Sequence, residues 1–244
     1  MGIVIAVASG KGGTGKTSVT GGVAAALAMA GQRVLCIDMD IGLRNLDISL
    51  GLSDRALMDF ADVALGRCTL SRAAVRHPDL KELSLLTAPM ALPPSLSPYR
   101  VRSMLSAART LDDDILIDAP AGLGPGFQYA VCGADRALVV ATNDASSLRD
   151  AQRVVAELDW LPQVHLVMNR IQPKLLRKLR TTIDDAMNTA GLPLIGVIPE
   201  DAQVMLCANR GIPLTSQGRK GAAMACRNIA WRLMGRRIPI MRIR

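Results

Sequence analysis

Short apolar runs alternate with longer stretches of helical periodicity along the whole 244-residue chain. Most of the runs are continuously apolar, which is typical of strands that are covered on both faces. Such alternation predicts an α/β fold, here a single-domain, doubly wound, mostly parallel sheet with helices on both faces. The predicted strands lie near 3–8, 33–38, 83–87, 114–118, 136–141, 164–169 and 194–198. The predicted helices lie near 16–30, 55–66, 98–111, 146–160, 174–190, 201–210 and 218–234.

Composition narrows the classes of protein that the chain can be. Only six residues, two each of Phe, Tyr and Trp, are aromatic, which disfavours a stacking platform for single-stranded nucleic acid. The five cysteines form no C-x-x-C pair, which argues against disulfides and a zinc site and fits a reducing cytoplasm. The apolar opening lacks a basic leader, and no apolar run reaches the ~18 residues that span a bilayer. We therefore expect a soluble, cytoplasmic protein.

The positive charge is concentrated at the C-terminal end. The net charge is +8, and all 21 acidic residues lie at or before Asp201, whereas nine of the 29 basic residues follow it. We expect a domain over 1–235 and a short basic and apolar tail over 236–244. Pro239 would interrupt a helix in the middle of that tail.

Three polar clusters follow predicted strands, at 9–18, 38–47 and 118–126. In a doubly wound sheet, ligands bind at the carboxyl ends of the strands, so these clusters are the candidate site. The first contains G-x-x-x-x-G-K-[ST], the phosphate-binding loop of nucleotide-binding proteins. Its backbone N–H groups and the following helix N-terminus can hold phosphate, Lys16 can reach the β- and γ-phosphates, and the Thr17 hydroxyl can ligate magnesium. The predicted phosphate-binding residues are Gly10, Lys11, Gly12, Gly13, Thr14, Gly15, Lys16, Thr17 and Ser18.

The same glycines allow a second interpretation. Gly10, Gly12 and Gly15 also spell G-x-G-x-x-G, and Asp38 closes the second strand a little over 20 residues later, as in dinucleotide-binding proteins. That interpretation does not explain a lysine and a threonine directly after the third glycine. It also does not predict a second group of carboxylates.

Those carboxylates lie at the ends of two strands. Asp118 ends the apolar run Ile115-Leu116-Ile117 and is expected to hold the hydration shell of magnesium. A glycine N–H after it, at Gly122, could contact the γ-phosphate. Asp38 and Asp40 end the second strand and are expected to serve the metal or the attacking water. The alternative is that Asp40 or Asp47 caps a helix, while residues 112–114 are interpreted as a solvated turn and His77 and His165 are assigned no chemistry.

The motifs together identify the chain as similar to the MinD/ParA family of ATPases. Lys11 corresponds to the extra lysine of the family's deviant Walker A motif, and residues 38–47 resemble switch I of its MinD branch. Asp118-Ala119-Pro120-Ala121-Gly122 resembles switch II. The segments 146–150, 169–170 and 196–201 also follow in the family's order, so the resemblance covers nearly the whole chain.

The resemblance implies a role for each matching residue. Lys11 would reach the phosphates of the partner in an ATP-bound homodimer, and Asp40 would orient the attacking water, with Asp38 and Asn45 close by. Lys16 would hold phosphate, and Thr17 and Asp118 would hold Mg²⁺. The adenine of ATP or ADP would be bordered by Asn169, Arg170, Pro199, Glu200 and Asp201.

The family also implies a function. Its MinD branch contains slow, Mg²⁺-dependent ATPases that dimerise with ATP at the inner face of the cell membrane, recruit the division inhibitor MinC, and in some organisms respond to MinE. The interrupted tail departs from the amphipathic membrane helix common there, so we expect only weak binding to an anionic membrane. A ParA-like DNA-partitioning ATPase and a flagellar-number regulator are the alternatives. The segment 44–47 favours the MinD branch, so DNA is not favoured as a partner.

Overall fold

The computed structural model describes residues 1–243, and in that range a single sheet organises the chain. Neighbouring strands pair in the order β3-β4-β2-β5-β1-β6-β7-β8, and every pair is parallel except β3 with β4. This confirms the predicted doubly wound α/β fold. The strands are β1 (Ile3–Ala8), β2 (Val34–Asp38), β3 (Val75–Arg76), β4 (Leu83–Leu86), β5 (Asp114–Asp118), β6 (Arg136–Ala141), β7 (Val164–Ile171) and β8 (Leu194–Pro199).

Helices cover both faces of the sheet, and two separate clusters of buried apolar side chains lie between helices and strands. The central strands β1, β2 and β5 are buried along almost their whole length, as their continuously apolar sequences predict. The helices are α1 (Lys16–Met29), α2 (Leu46–Leu50), α3 (Phe60–Ala64), α4 (Leu70–Ala73), α5 (Pro98–Leu111), α6 (Pro125–Val131), α7 (Ala145–Glu157), α8 (Pro173–Leu179), α9 (Ile183–Ala190), α10 (Ala202–Asn209), α11 (Leu214–Gln217) and α12 (Gly221–Leu233).

One predicted helix is two helices. The pattern over 174–190 divides into α8 and α9 because Arg180 adopts a left-handed conformation with φ of +54°. Thr182 then caps α9, and its hydroxyl and the Asp185 carboxylate form a reciprocal capping box. Another predicted helix, over 55–66, is largely wrong, since only Phe60–Ala64 is helical.

The segment before β5 also differs from its predicted form. Residues 112–114 were expected to be a solvated turn, but Asp114 is the first residue of β5 and is only 7% exposed. Burial raises its pKa to about 6, and the nearby Asp113 contributes to the rise. The solvated turn is wrong for this residue, whereas the strand predicted over 114–118 has the observed bounds.

The last helix lies where its sequence predicts. Ala222, Cys226, Ile229, Ala230 and Leu233 share one face of α12 and are buried against α1 and β8. The tail then turns back over β8, the edge strand, where Met241 and Ile243 are partly buried against the core. Arg232 holds this turn by donating to the carbonyl oxygens of Ile195, Ile238 and Pro239. Among residues 1–243, no helix is long and apolar enough to cross a membrane.

Candidate nucleotide-binding site

The loop between β1 and α1 is shaped by glycines that no other residue could replace without rearrangement. Gly13 and Gly15 adopt positive φ angles of +81° and +85°. A Cβ atom at Gly15 would lie 2.3 Å from the side-chain Nδ2 atom of Asn169, and one at Gly10 would lie 2.4 Å from the backbone of Asp150. Asn169 in turn donates to the Thr14 carbonyl oxygen at 2.7 Å, which fixes the loop against the end of β7. The backbone is therefore held open towards the N-terminus of α1.

Asp118 is the centre of a buried polar cluster below this loop. Its Oδ1 atom accepts from Lys16 Nζ at 2.8 Å and from the Thr20 hydroxyl at 3.1 Å, and Oδ2 accepts from the Thr17 hydroxyl at 2.7 Å. Lys16 is 6% exposed and Asp118 is fully buried. The structure thus brings together the predicted phosphate lysine and both predicted metal ligands. Thr20 was missed by the sequence analysis, although it lies one turn after Lys16 on the same face of α1.

Asp38 lies beside Asp118 because β2 and β5 pair in register at these two residues. Its carboxylate accepts from the N–H groups of Asp40 and Leu46 at 2.9 and 3.1 Å, which ties the following loop to the end of the strand. Burial raises the pKa of Asp38 to about 7, and the charge of Asp118 adds to the rise. Asp38 is therefore a buried structural carboxyl that holds the loop carrying Asp40.

Asp40 lines the phosphate side of the site. Burial raises its pKa, whereas the positive charge of Lys16 acts in the opposite direction. The N-cap residue of α2 is Asn45, and Asp47 lies in the first turn of that helix, where its carboxylate accepts from the Ile48 N–H. The alternative that Asp40 caps the following helix is therefore wrong for α2.

Lys11 and Lys16 have different partners in this single chain. Its Nζ atom lies 2.7 Å from Asp144 Oδ1 and 2.8 Å from the Ser146 hydroxyl, at the start of α7. Burial alone would raise the pKa of Asp144, but hydrogen bonds from Lys11, Thr142 and Ser146 hold it well below its usual range. The sequence analysis missed Asp144 as a partner of Lys11. Asp144 and Ser146 follow the end of β6. The rule that site residues follow strand ends could therefore have identified them.

Two cavities adjoin the loop. The first, of about 500 Å³, lies between the phosphate loop and the segment after β2, and its lining includes Lys16, Thr17, Asp40, Asn45 and Pro120. The second, of about 330 Å³, lies beyond Gly13 and Gly15. All five residues predicted to border adenine line it, together with Ser18 and an aliphatic wall that sequence reasoning missed, formed by Val204, Met205, Leu214, Ala222 and Cys226. The wall comes from α10, α11 and α12, whose approach is a tertiary feature.

Arg170 and Gly122, two further predicted site residues, make contacts that the sequence did not predict. Arg170 has a positive φ of +57°, forms an ion pair with Glu200 at 2.9 Å, and donates to the Gly13 carbonyl oxygen. It therefore links the phosphate loop to the second cavity. The Gly122 N–H donates to the Ser9 carbonyl oxygen at 3.1 Å, so in this conformation it is not directed at a phosphate.

The donor set fits a magnesium nucleotide. The Thr14 hydroxyl is buried inside the phosphate loop without a hydrogen-bond partner among the described residues, which marks a polar position that a ligand can satisfy. Thr17 and Asp118 offer a hydroxyl and a carboxylate, the hard oxygen ligands that Mg²⁺ prefers. Residues 1–243 contain no group of three or more His, Cys, Asp or Glu side chains that could hold a metal by themselves. This fits Mg²⁺, which commonly binds one or two protein oxygens together with substrate phosphates.

Comparison with known proteins agrees with this geometry. Residues 5–214 match the family model of the CobQ/CobB/MinD/ParA nucleotide-binding domain. Over 98% of its length, the chain is 39% identical to the septum site-determining protein MinD of Helicobacter pylori and 36% identical to that of Bacillus subtilis, covering 92% of each.

Solved structures give the same relationship. The MinC:MinD cell division protein complex of Aquifex aeolicus contains a chain that is 36% identical, with a TM-score of 0.91 over 98% of both chains. MinD of Pyrococcus horikoshii complexed with Mg-ADP is 28% identical, with a TM-score of 0.83 over 96% of both chains. The chain therefore belongs to the MinD branch of the MinD/ParA family of P-loop nucleotide-binding proteins.

Proposed function

We propose that this protein is an ATP-driven dimerisation switch that places the division site by recruiting a MinC-like division inhibitor at the inner face of the cell membrane. The observation that carries the proposal is the arrangement of two lysines of one loop. Lys16 is buried on Asp118, whereas Lys11, which also borders the phosphate cavity, is 34% exposed and pairs with Asp144. A nucleotide-binding protein that worked as a monomer would need only the first lysine.

The nucleotide would lie across both cavities. Its triphosphate fits the larger cavity against Lys16, Thr17 and the loop N–H groups, and its adenine fits the aliphatic wall behind Gly13 and Gly15. Within residues 1–243, no aromatic side chain lines the second cavity, so adenine binding would rest on aliphatic contact and on Asn169 and Arg170. When bound, Mg²⁺ on Thr17 and Asp118 would neutralise charge on the phosphate oxygens.

Hydrolysis would use the carboxylate of Asp40 to orient the attacking water. The water oxygen forms a bond to the γ-phosphorus while the bond to the β,γ-bridging oxygen breaks, and the products are ADP and inorganic phosphate. Asp38 would contribute by holding the Asp40 backbone through its hydrogen bond at 2.9 Å. Lys16 and the partner's copy of Lys11 would stabilise the charge that develops on the phosphate oxygens.

Lys11 would change partners when ATP binds. In the single chain its charge is neutralised by Asp144 and its hydrogen bonds are satisfied. In a dimer joined face to face, each Lys11 would leave this pair for the phosphates of the other subunit, as an arginine finger does. Slow hydrolysis would then time the return to monomers, and a MinE-like regulator would accelerate it.

Membrane association would be peripheral and would include the tail after Gly235. That tail carries exposed Arg236, Arg237 and Arg242, and about 1 kcal/mol per cation is gained near an anionic leaflet. Met241 and Ile243 are partly buried against the core, so one tail offers little apolar surface to lipid. An ATP-bound dimer carries two tails and would therefore bind the membrane with higher affinity through avidity.

The Lys11→Ala and Lys16→Ala variants test the switch. Lys16→Ala is expected to lose ATP binding, because it removes the buried cation of the phosphate cavity. Lys11→Ala is expected to bind ATP normally but to remain monomeric with ATP and Mg²⁺. Fluorescent nucleotide titration and light scattering measure the two properties separately. Lys81→Ala is the control, since Lys81 is an exposed lysine outside both cavities.

Equal loss of ATP binding in both lysine variants would contradict a role for Lys11 in the partner's site. The second candidate function is a DNA-partitioning ATPase, favoured by the acid-free basic segment after Asp201. Tight, salt-dependent binding of the ATP-bound protein to nonspecific DNA, with no binding to a MinC-like partner, would favour that candidate.

A further inference from the structure

Helix α8 presents cations and leucines to solvent together. Lys174, Arg177, Lys178 and Arg180 are all exposed and form no ion pair within residues 1–243. None of the seven residues of the helix is buried. We call the surface made by these four cations with Leu175 and Leu179 the α8 patch.

The two leucines of the patch are largely exposed, although Leu175 also borders a cavity beside Lys11 and Gly13. Leu175 is 44% exposed and Leu179 is 50% exposed, and they lie one turn apart on one face of the helix. Leu176 is the leucine that faces inward, where it is partly buried against the core. An amphipathic segment with leucines on one side and Lys and Arg on the other is typical of a surface that lies in a lipid headgroup layer.

The C-terminus of α8 retains a cation at a strained position. Arg180 has a φ of +54°, which is the left-handed conformation that glycine adopts without cost at the end of a helix. Arginine there costs roughly a factor of ten in the folding equilibrium relative to glycine. The N–H groups of Arg180 and Thr181 close the helix end on the carbonyl oxygens of Arg177 and Leu176, but the Arg180 side chain makes no hydrogen bond among the described residues. A charge that serves an external anion would explain why arginine occupies this position.

The patch adjoins the tail. Pro173 and Leu176 at its base line a groove of about 470 Å³ together with Ile183 of α9 and with Ile240 and Met241 of the tail. The exposed Arg242 follows directly. The exposed cations of α8 and of the tail therefore belong to neighbouring segments of the surface. The nearest carboxylates on the next helix are Asp184 and Asp185, and Asp185 is engaged in the capping box with Thr182.

We propose that the α8 patch is a membrane-contacting surface that binds anionic phospholipid headgroups and inserts Leu175 and Leu179 at the headgroup boundary. The inference rests on the proposed membrane association and names an element for it outside the tail. Lipid fits this surface better than DNA does. The phosphates of DNA would bind the cations but would leave the two leucines exposed, whereas a lipid headgroup layer can accommodate both. A dimer would present the patch twice, so its contribution is expected to depend on ATP.

Charge and apolar contributions are tested separately on the full chain with ATP and Mg²⁺. Binding is measured by sedimentation with vesicles of phosphatidylglycerol and phosphatidylcholine, and with vesicles of phosphatidylcholine alone. The variant Lys174→Glu/Arg177→Glu/Lys178→Glu is expected to bind anionic vesicles on the order of 100-fold more weakly, because each lost cation accounts for about fivefold. Leu175→Ser/Leu179→Ser is expected to weaken binding by about tenfold at every salt concentration.

Three controls separate binding from folding. Arg72→Glu/Arg76→Glu/Arg100→Glu reverses three exposed cations on α4, β3 and α5, and is expected to bind within about twofold of the unmodified protein. Arg180→Gly is expected to raise the unfolding temperature while weakening vesicle binding by about fivefold, because it relieves strain and removes a charge. Deletion of residues 236–244 is expected to weaken vesicle binding without abolishing it. The triple reversal on α8 is expected to abolish the vesicle binding that remains.

Several results would overturn the inference. The first is unchanged vesicle binding by the triple reversal on α8. The second is loss of ATP-dependent dimerisation in that variant, measured by light scattering, since α8 would then be a subunit contact. The third is loss of DNA binding in that variant together with no effect of the leucine substitutions. Binding that disappears with the tail alone overturns the α8 patch and leaves the proposed function intact, whereas absence of vesicle binding in the unmodified protein contradicts both.

Discussion

The Lys16–Asp118 pair joins folding to nucleotide binding at the level of single residues. Both side chains are almost fully buried, and Asp118 also accepts from two hydroxyl groups. Removal of one partner from a buried ion pair typically costs about 3–5 kcal/mol, because the remaining charge is left without a counter-ion. Thr17 and Thr20 still donate to Asp118 in a Lys16 variant, so part of that cost is offset. Thermal unfolding of Lys16→Ala should therefore accompany every measurement of its ATP binding.

The Asp40→Ala variant is expected to bind ATP and to dimerise but to hydrolyse ATP about 100-fold or more slowly. A carboxylate that orients water contributes to the transition state and hardly to ground-state binding. Asp38 still holds the loop in this variant, because it accepts from the Asp40 backbone and not from its side chain. Steady-state phosphate release and light scattering measure the two effects. The result would be a dimer that persists after ATP addition.

Asp47→Ala is the matched control for that prediction. Asp47 lies in the same segment, and its carboxylate contacts only the neighbouring Ile48 N–H among the described residues. Its removal is expected to leave the hydrolysis rate within about threefold of the unmodified protein. Hydrolysis at an unchanged rate in Asp40→Ala would exclude Asp40 and make Asp38 the candidate.

Asp114 makes a separate prediction about pH. Its pKa is raised to about 6 in the folded chain, mainly by burial, and is about 3.9 in an unfolded chain. The folded state therefore binds the proton more tightly, so stability is full below about pH 4 and is lost as pH rises through about pH 6. Asp114→Asn cannot ionise and is expected to be more stable above about pH 6 by on the order of 1 kcal/mol. Urea unfolding between about pH 4 and pH 7 measures this, and parallel pH dependence in both proteins would contradict it.

At the scale of elements, apolar pattern predicted the strands better than the helices. Strands such as β1 and β5 are buried on both faces, so their sequences carry an unbroken apolar signal. Short helices carry no such signal, because five residues make little more than one turn. The helix α2 was missed for this reason, and α6 was missed although Pro125 occupies its first turn, a frequent helix start.

The same difference separates the two halves of the site. The phosphate side is built from three short segments that each follow a strand, and motifs in 9–18, 38–47 and 118–122 predicted all three. The adenine side is built from β7, β8 and three later helices, and the family resemblance predicted only Asn169 and Arg170 and the segment 199–201. Its aliphatic wall could not be predicted, because Val204 or Cys226 has no sequence feature that distinguishes it from any other core residue.

At the scale of the whole molecule, the order of the strands separates the phosphate site from the surfaces proposed to contact the membrane. β1, β2 and β5 are central and carry the carboxylates and the phosphate loop, so the reacting groups lie over the best-packed part of the sheet. β8 is an edge strand and is covered by the turn that Arg232 holds. Movement of the tail would therefore disturb the edge of the sheet and leave the central strands unchanged.

Deletion of residues 236–244 is expected to destabilise the protein without abolishing nucleotide binding. The deletion removes the partly buried Met241 and Ile243 and leaves Arg232 with the Ile195 carbonyl oxygen in place of three carbonyl acceptors. Loss of the apolar contacts of these two side chains lowers the free energy of unfolding by about 1–3 kcal/mol. In a domain of this size, that corresponds to a fall of about 2–10 °C in the unfolding temperature. Thermal unfolding measures the loss, and nucleotide titration checks the site.

The matched pair Ile243→Ala and Arg242→Ala shows whether packing is the cause. Ile243 is partly buried against the core and Arg242 is exposed, so only the first substitution should lower the unfolding temperature. If the deletion leaves the unfolding temperature unchanged, the tail does not pack on β8 in solution, and its apolar side chains are free for lipid. If the deletion lowers it and vesicle binding persists, the tail stabilises the sheet edge and membrane contact belongs to α8.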